Sequence, residues 1–163
     1  MSNLQEKRGQ LRWLYLAVLV FAVDAISKFW VRQHLIPYDP IVVIPHFFNI
    51  FLAYNTGAAF SFLSQMGGWQ RWFFCAVALV VSIVIIIWLA RLQKSQRWLA
   101  ASLALILGGA LGNLYDRAAY GQVTDFFDFY YHTYHWPTFN VADSAICVGV
   151  FLLIVTGLGG KKK

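Results

Sequence analysis

Charge is what this sequence has least of. Only 12% of its residues are Asp, Glu, Lys or Arg, against about 25% in an average soluble domain. That shortage excludes an ordinary water-facing surface. Acids are scarcer than bases, seven against thirteen, for a net charge of +6. In a soluble protein such a balance would raise the question of nucleic acid. Here the basic residues fall between hydrophobic runs, so orientation in a membrane accounts for them and no nucleic-acid partner is expected. Cysteine is also rare. Cys75 and Cys147 each sit inside an apolar run without metal-ligand spacing, which reads as two small hydrophobes and no disulfide staple. The four histidines show no ligand pattern, and no serine–histidine pair or phosphate loop is visible. No metal or other cofactor is therefore expected.

What remains is hydrophobic. Apolar residues make up 60% of the chain and aromatics 18%, which suits a protein with two membrane–water interfaces to anchor. A spanning helix needs about 20 mostly apolar residues. Four runs qualify or come close: Leu11 to Val31, Trp69 to Ala90, Trp98 to Tyr115 and Val141 to Leu158. Lys7, Arg8 and Arg12 before the first run resemble a secretory signal, but no A-x-A cleavage site follows, so the segment reads as a retained helix. The expected fold is an all-α polytopic membrane protein with four transmembrane helices, forming one domain over residues 1–163.

The loops orient it. Lys7, Arg8 and Arg12, then Arg91, Lys94 and Arg97, then Lys161, Lys162 and Lys163 account for nine of the thirteen basic residues. With four spans all nine fall on one side, which the positive-inside rule makes cytoplasmic. Both termini are then inside, and residues 32–68 and 116–140 form outer loops. An odd number of spans would split the clusters. The first outer loop carries Pro40-Ile-Val-Val-Ile-Pro45 and a β-branched and aromatic stretch from Phe47 to Phe60. Short strands on the membrane surface are expected there, limited in length by the prolines. The second is dense in Phe and Tyr, a composition suited to the headgroup region.

The acids gather on the outer side: Asp24 towards the end of the first span, then Asp116, Asp125, Asp128 and Asp143 around the second outer loop. Acids carry little topological weight, so the clustering asks for another cause. A charge at membrane depth costs roughly 2.5–3.5 kcal/mol and marks a functional site by default. Asp125 follows the third span and Asp143 begins the fourth, so the chain can bring the two together near the interface. Two adjoining carboxylates share one proton, which supplies a base to activate water and an acid to polarise a peptide carbonyl. Spacing alone leaves Asp116 and Asp128 open as members. Asp128, three residues after Asp125, would share its face on a helix. Asn140 is placed to cap the last helix, with Asp143 in its first turn. Asp24 and Lys28, acid first and four apart, suit a helical ion pair. Gly108 and Gly112 form a G-x-x-x-G, the signature of close helix packing.

Five segments, Asp24-Ala-Ile-Ser-Lys28, Asn55-Thr-Gly-Ala-Ala-Phe60, Gly108 to Arg117, Val123-Thr-Asp125-Phe126 and Phe139-Asn140-Val-Ala-Asp143, together resemble the lipoprotein signal peptidase (signal peptidase II) family in order and spacing. The resemblance covers nearly the whole chain. It implies an aspartyl endopeptidase of the bacterial inner membrane that cuts prolipoproteins before a diacylglyceryl-modified cysteine. Asp125 and Asp143 fall on the catalytic aspartates. Asn55, Asn113, Asp116, Arg117 and Asn140 fall on substrate-binding or supporting positions, and Gly57 and Gly108 on motif glycines that set shape. Asn113 and Asn140 would bind peptide backbone, and Arg117 a substrate carbonyl or a carboxylate. The family also implies a surface sheet, or cradle, on the first outer loop and an interfacial helix on the second. The expected partners are lipidated prolipoproteins and membrane lipid, acting on a monomer.

Two other readings compete. A small proton-coupled transporter also needs acids in helices, but predicts a polar path across the whole bilayer, whereas these acids gather at one face. A structural subunit dimerising through G-x-x-x-G leaves the acids unexplained.

Overall fold

The structure, a computed structural model, describes residues 9–57 and 67–159. The apolar runs become helices close to where hydropathy places them. A short 3-10 turn, Leu11–Trp13, leads into α1 (Leu14–His34); α2 is Trp69–Arg91 and α3 is Arg97–Tyr120. By length and composition Leu11–His34, α2 and α3 are each apolar enough to cross a membrane. Helix α4 (Val141–Gly159) is apolar but shorter. The helices present rows of exposed apolar side chains, such as Val18 and Ile26 of α1, Val80 and Val84 of α2, and Phe151 and Ile154 of α4. In water such a patch would be an anomaly; against lipid it costs nothing.

Helix α3 is the central element, packed on α1, α2 and α4. Lipid is as apolar as leucine, so helices in it associate through close backbone approach. Small residues make that possible here. A Cβ on Gly108 would lie 2.6 Å from the Ala17 carbonyl oxygen and 2.7 Å from Val20 Cβ. One on Gly112 would run into the Asp24 carboxylate, and one on Gly109 into the Ala142 carbonyl. The G-x-x-x-G therefore seats α1, and the adjacent glycine seats α4. Gly108→Ala must push the helices apart, and is expected to lower stability by about 1–3 kcal/mol, read as a drop in the detergent unfolding midpoint. An unchanged midpoint would mean that α1 and α3 do not pack tightly at Gly108.

Helix α3 ends at Gly121, whose φ of +79° is a left-handed cap and whose N–H bonds the Arg117 carbonyl at 3.0 Å. It runs past the expected Tyr115, so Asp116 and Arg117 are helical rather than part of a loop. The β-branched first loop gives β1 (Ile41–Ile44) and β2 (Phe48–Asn55) as expected. The rest of the Asn55 to Phe60 motif, from residue 58, lies outside the described residues.

The aromatic second loop differs from expectation. Its described residues form no interfacial helix but two strands, β3 (Val123–Tyr131) and β4 (Tyr134–His135), in one antiparallel sheet ordered β1-β2-β3-β4. The physical reason is that β3 pairs with β2 along most of its length, from Asn55↔Val123 to Phe48↔Phe129, and aromatic side chains favour such pleated surfaces. Asp125 and Asp128 consequently project to opposite sides of a strand instead of sharing a helical face. Val31 of α1 and Leu35 just past its end pack with Leu52 and Phe126, fixing the sheet to the helices.

Candidate active site

Asp125 stands on β3 opposite Ala53, and Asp143 in the first turn of α4. Both line one cavity of about 540 Å³, together with Asn55, Asn113 and Arg117. Asn140 couples them. Its Oδ1 accepts the Asp143 N–H at 2.9 Å, the helix cap expected from sequence, while its Nδ2 donates to Asp125 Oδ1 at 2.7 Å. Asn140 is fully buried, so its amide cannot turn without abandoning one aspartate.

The other amides extend this frame. Asn113 donates through Nδ2 to Asp143 Oδ1 at 2.7 Å, and its Oδ1 accepts from Lys28 Nζ at 3.0 Å. Asn55 donates to Asp125 Oδ2 at 3.2 Å and accepts the Gly57 N–H at 2.9 Å. Arg117 donates to the Gly57 carbonyl at 2.7 Å, and lies over the Phe74 ring. Asn113 and Asn140 thus each donate to a carboxylate of the pair. Asp125 has both oxygens hydrogen-bonded yet is deeply buried. That burial, reinforced by the nearby Asp143 charge, pushes its carboxyl up to about 7, against the smaller opposing pull of Asn55, Asn140 and Lys28.

The remaining acids lie outside the cavity wall. Asp24 and Lys28 form the expected ion pair at 2.7 Å, both buried. The pair has partners that spacing did not reveal. Lys28 also reaches Asp116 at 3.3 Å, and Asp116 pairs with Arg32 at 3.1 Å. Asp24 Oδ1 accepts the Ala142 N–H at 2.8 Å, satisfying a second donor at the start of α4. Asp116 Oδ2 accepts the Thr124 N–H at 2.9 Å, and Arg32 donates to the Thr124 hydroxyl at 2.8 Å. Asp116 therefore supports the residue beside Asp125 and does not face the cavity. Gly108 serves only helix packing. Arg32 and Thr124 escaped the sequence reading. Arg32 continues the i, i+4 row of Asp24 and Lys28, and that spacing was the available signal. Asp128 bonds Asn49 and His135 at 2.8 Å each, away from the pair. No group of His, Cys, Asp or Glu among the described residues could hold a metal ion.

Comparison with known proteins adds a family. A model described as Signal peptidase (SPase) II matches residues 16–158. The chain is 52% identical over 155 residues to a lipoprotein signal peptidase of Pseudomonas syringae pv. tomato, covering 94% of this chain and 90% of that one. Its identity to a lipoprotein signal peptidase of Pseudomonas paraeruginosa is 50% over 158 residues, covering 96% and 94% respectively. A bacterial membrane enzyme solved by the in meso method matches with a TM-score of 0.85 and 32% identity, over 97% of this chain and 95% of that one.

Proposed function

The chain belongs to the signal peptidase II family, and we propose that it removes the signal peptide from prolipoproteins with Asp125 and Asp143 as its acid–base pair. The observation that carries this reading is that Asn140 holds both aspartates at one cavity. The pair keeps one proton, on Asp125, because burial and the Asp143 charge favour its neutral form. Asp143 takes a proton from water as the water oxygen adds to the scissile carbonyl carbon. Asp125 gives its proton to the carbonyl oxygen. In the second half Asp143 protonates the departing nitrogen, Asp125 recovers its proton from a hydroxyl, and the C–N bond breaks. The pair ends as it began.

The surroundings fit a lipidated substrate cut before a diacylglyceryl-modified cysteine. Beside its polar residues the cavity is lined by apolar side chains, among them Trp136, Phe139, Ile146 and Cys147. Arg117 keeps its Nε buried without a partner, a donor for a substrate carbonyl. We place α4 across the membrane as the fourth span. Its 19 residues give a length of about 28 Å, near the roughly 30 Å hydrocarbon core. The basic clusters then put both termini in the cytoplasm and the sheet and acids at the outer face of a bacterial inner membrane. One chain supplies every polar group of the pair, so a monomer suffices.

The pH profile tests the shared proton. A carboxyl raised to about 7 is protonated below that pH and ionised above it, so the acid is lost on the alkaline side. The kcat/KM of the purified enzyme on lipidated substrate is expected to fall above about pH 7, approaching tenfold per unit. A profile flat to about pH 9 would remove Asp125 as the acid.

A further inference from the structure

Asp128 is a buried acid that belongs neither to the catalytic pair nor to the Asp24–Lys28–Asp116–Arg32 network. Asp128 is on β3 in register with Asn49, and is almost wholly inaccessible. Its Oδ2 accepts from Asn49 Nδ2 and its Oδ1 meets His135 Nδ1, each at 2.8 Å. His135 also stacks on Tyr130, with ring centroids 5.1 Å apart and planes 9° apart. Tyr130 is itself anchored: its hydroxyl accepts the His46 N–H at 2.9 Å and its own N–H bonds the Phe47 carbonyl at 3.0 Å.

His135 belongs to β4, a strand of two residues. Two ladder pairs cannot hold a strand by themselves. Yet the chain leaving β4 is Trp136, Pro137, Thr138 and Phe139, a continuous wall of the cavity holding the aspartates. That wall is tied to β3 at its ends, Trp136 N–H to the Phe129 carbonyl at 2.8 Å and Phe139 N–H to the Phe127 carbonyl at 3.2 Å. Pro137 offers no donor between them. At the entry to this wall His135 meets a buried side chain, the Asp128 carboxylate, at 2.8 Å.

We infer that Asp128 and His135 form a clamp that positions the Trp136–Phe139 wall for substrate binding, without touching the reacting atoms. The clamp rests on the cavity being the substrate site. It acts on KM, because a wall that wanders must be ordered when substrate binds, while the Asp125–Asn140–Asp143 frame stays intact.

His135→Ala truncates a half-exposed side chain, and the buried Asp128 carboxylate keeps the Asn49 amide; the unfolding midpoint is measured alongside to confirm that the variant is folded. In mixed micelles it is expected to raise KM about fivefold, the roughly 1 kcal/mol of one hydrogen bond. The kcat should stay within about twofold and the alkaline limb should not move. Asp128→Ala should match it, and the double variant should add nothing, as for a pair acting as one unit. His135→Asn, whose amide nitrogen takes the place of Nδ1, should restore KM. Amide exchange at Trp136 should quicken in His135→Ala and recover in His135→Asn. Unchanged KM, a loss confined to kcat, or additive single effects would each overturn the clamp. Asp125→Asn in the same assay separates the two claims. If it is inactive while His135→Ala is normal, the clamp alone fails; if it is active, the reading of the cavity fails.

Discussion

Asp125→Asn and Asp143→Asn are each expected to stop prolipoprotein cleavage while the protein still inserts and folds. An amide at 125 has no transferable proton, and one at 143 cannot accept a proton from water. General acid–base groups contribute about a hundred- to ten-thousandfold each, so the loss should exceed about a thousandfold in either variant. Stability should move the other way. Holding the Asp125 carboxyl at about 7, from an ordinary 3.8, costs folding ~4 kcal/mol at neutral pH and above. The sign follows from the neutral form being favoured in the folded state: the cost is absent below the ordinary value and grows until pH passes about 7. The amide variant escapes this cost but loses one acceptor, since its nitrogen must face the donor of Asn55 or Asn140; that costs about 1–3 kcal/mol. Asp125→Asn should therefore melt above wild type at about pH 8, and the advantage should vanish or reverse at about pH 5. Near-normal processing by either variant would sink the pair as the catalytic machinery.

The helices were legible because a membrane imposes one long-range rule, a run of apolar residues of fixed length. The rule weakens where polar groups pair across helices. Helix α3 continues through Asn113, Asp116 and Arg117 to Tyr120 since these side chains find partners on other elements, which no hydropathy window sees. Strand β3 was illegible for a related reason. Its aromatic run suits an interfacial helix or a strand equally, and only the pairing with β2 decides. Within the site, Asp24 and Lys28 declared themselves through helical spacing, but the placing of Asp125 and Asp143 at one cavity did not. They are separated by the β3–β4 hairpin and its return, so no periodicity joins them. Asn140 was readable as a cap. That its other end grips Asp125 depends on where β3 lies, which is a tertiary fact. The ordered motifs pointed to the two aspartates, while the physical cause of the raised Asp125 carboxyl is burial plus proximity.

Lys28 is where fold and chemistry meet most closely. It is buried between Asp24 and Asp116, and donates to Asn113. Lys28→Met is expected to cost about 3–5 kcal/mol, the penalty for stranding a buried charge. Asp116 keeps Arg32, so the stranded acid is Asp24. Asp24→Asn/Lys28→Met removes that acid, and its neutral oxygen still accepts the Ala142 N–H, so most of the stability should return. Activity should not return with it. Asn113 Oδ1 keeps only its 3.2 Å bond from Asn140 Nδ2 and lacks the ammonium that helps fix which end of its amide meets Asp143, leaving kcat down about tenfold. Unfolding midpoints and single-turnover cleavage measured on both variants separate these effects. If kcat recovers in step with stability, Lys28 serves the fold alone; if it stays low in a stable double variant, Lys28 orients Asn113 towards Asp143, the aspartate we propose activates water.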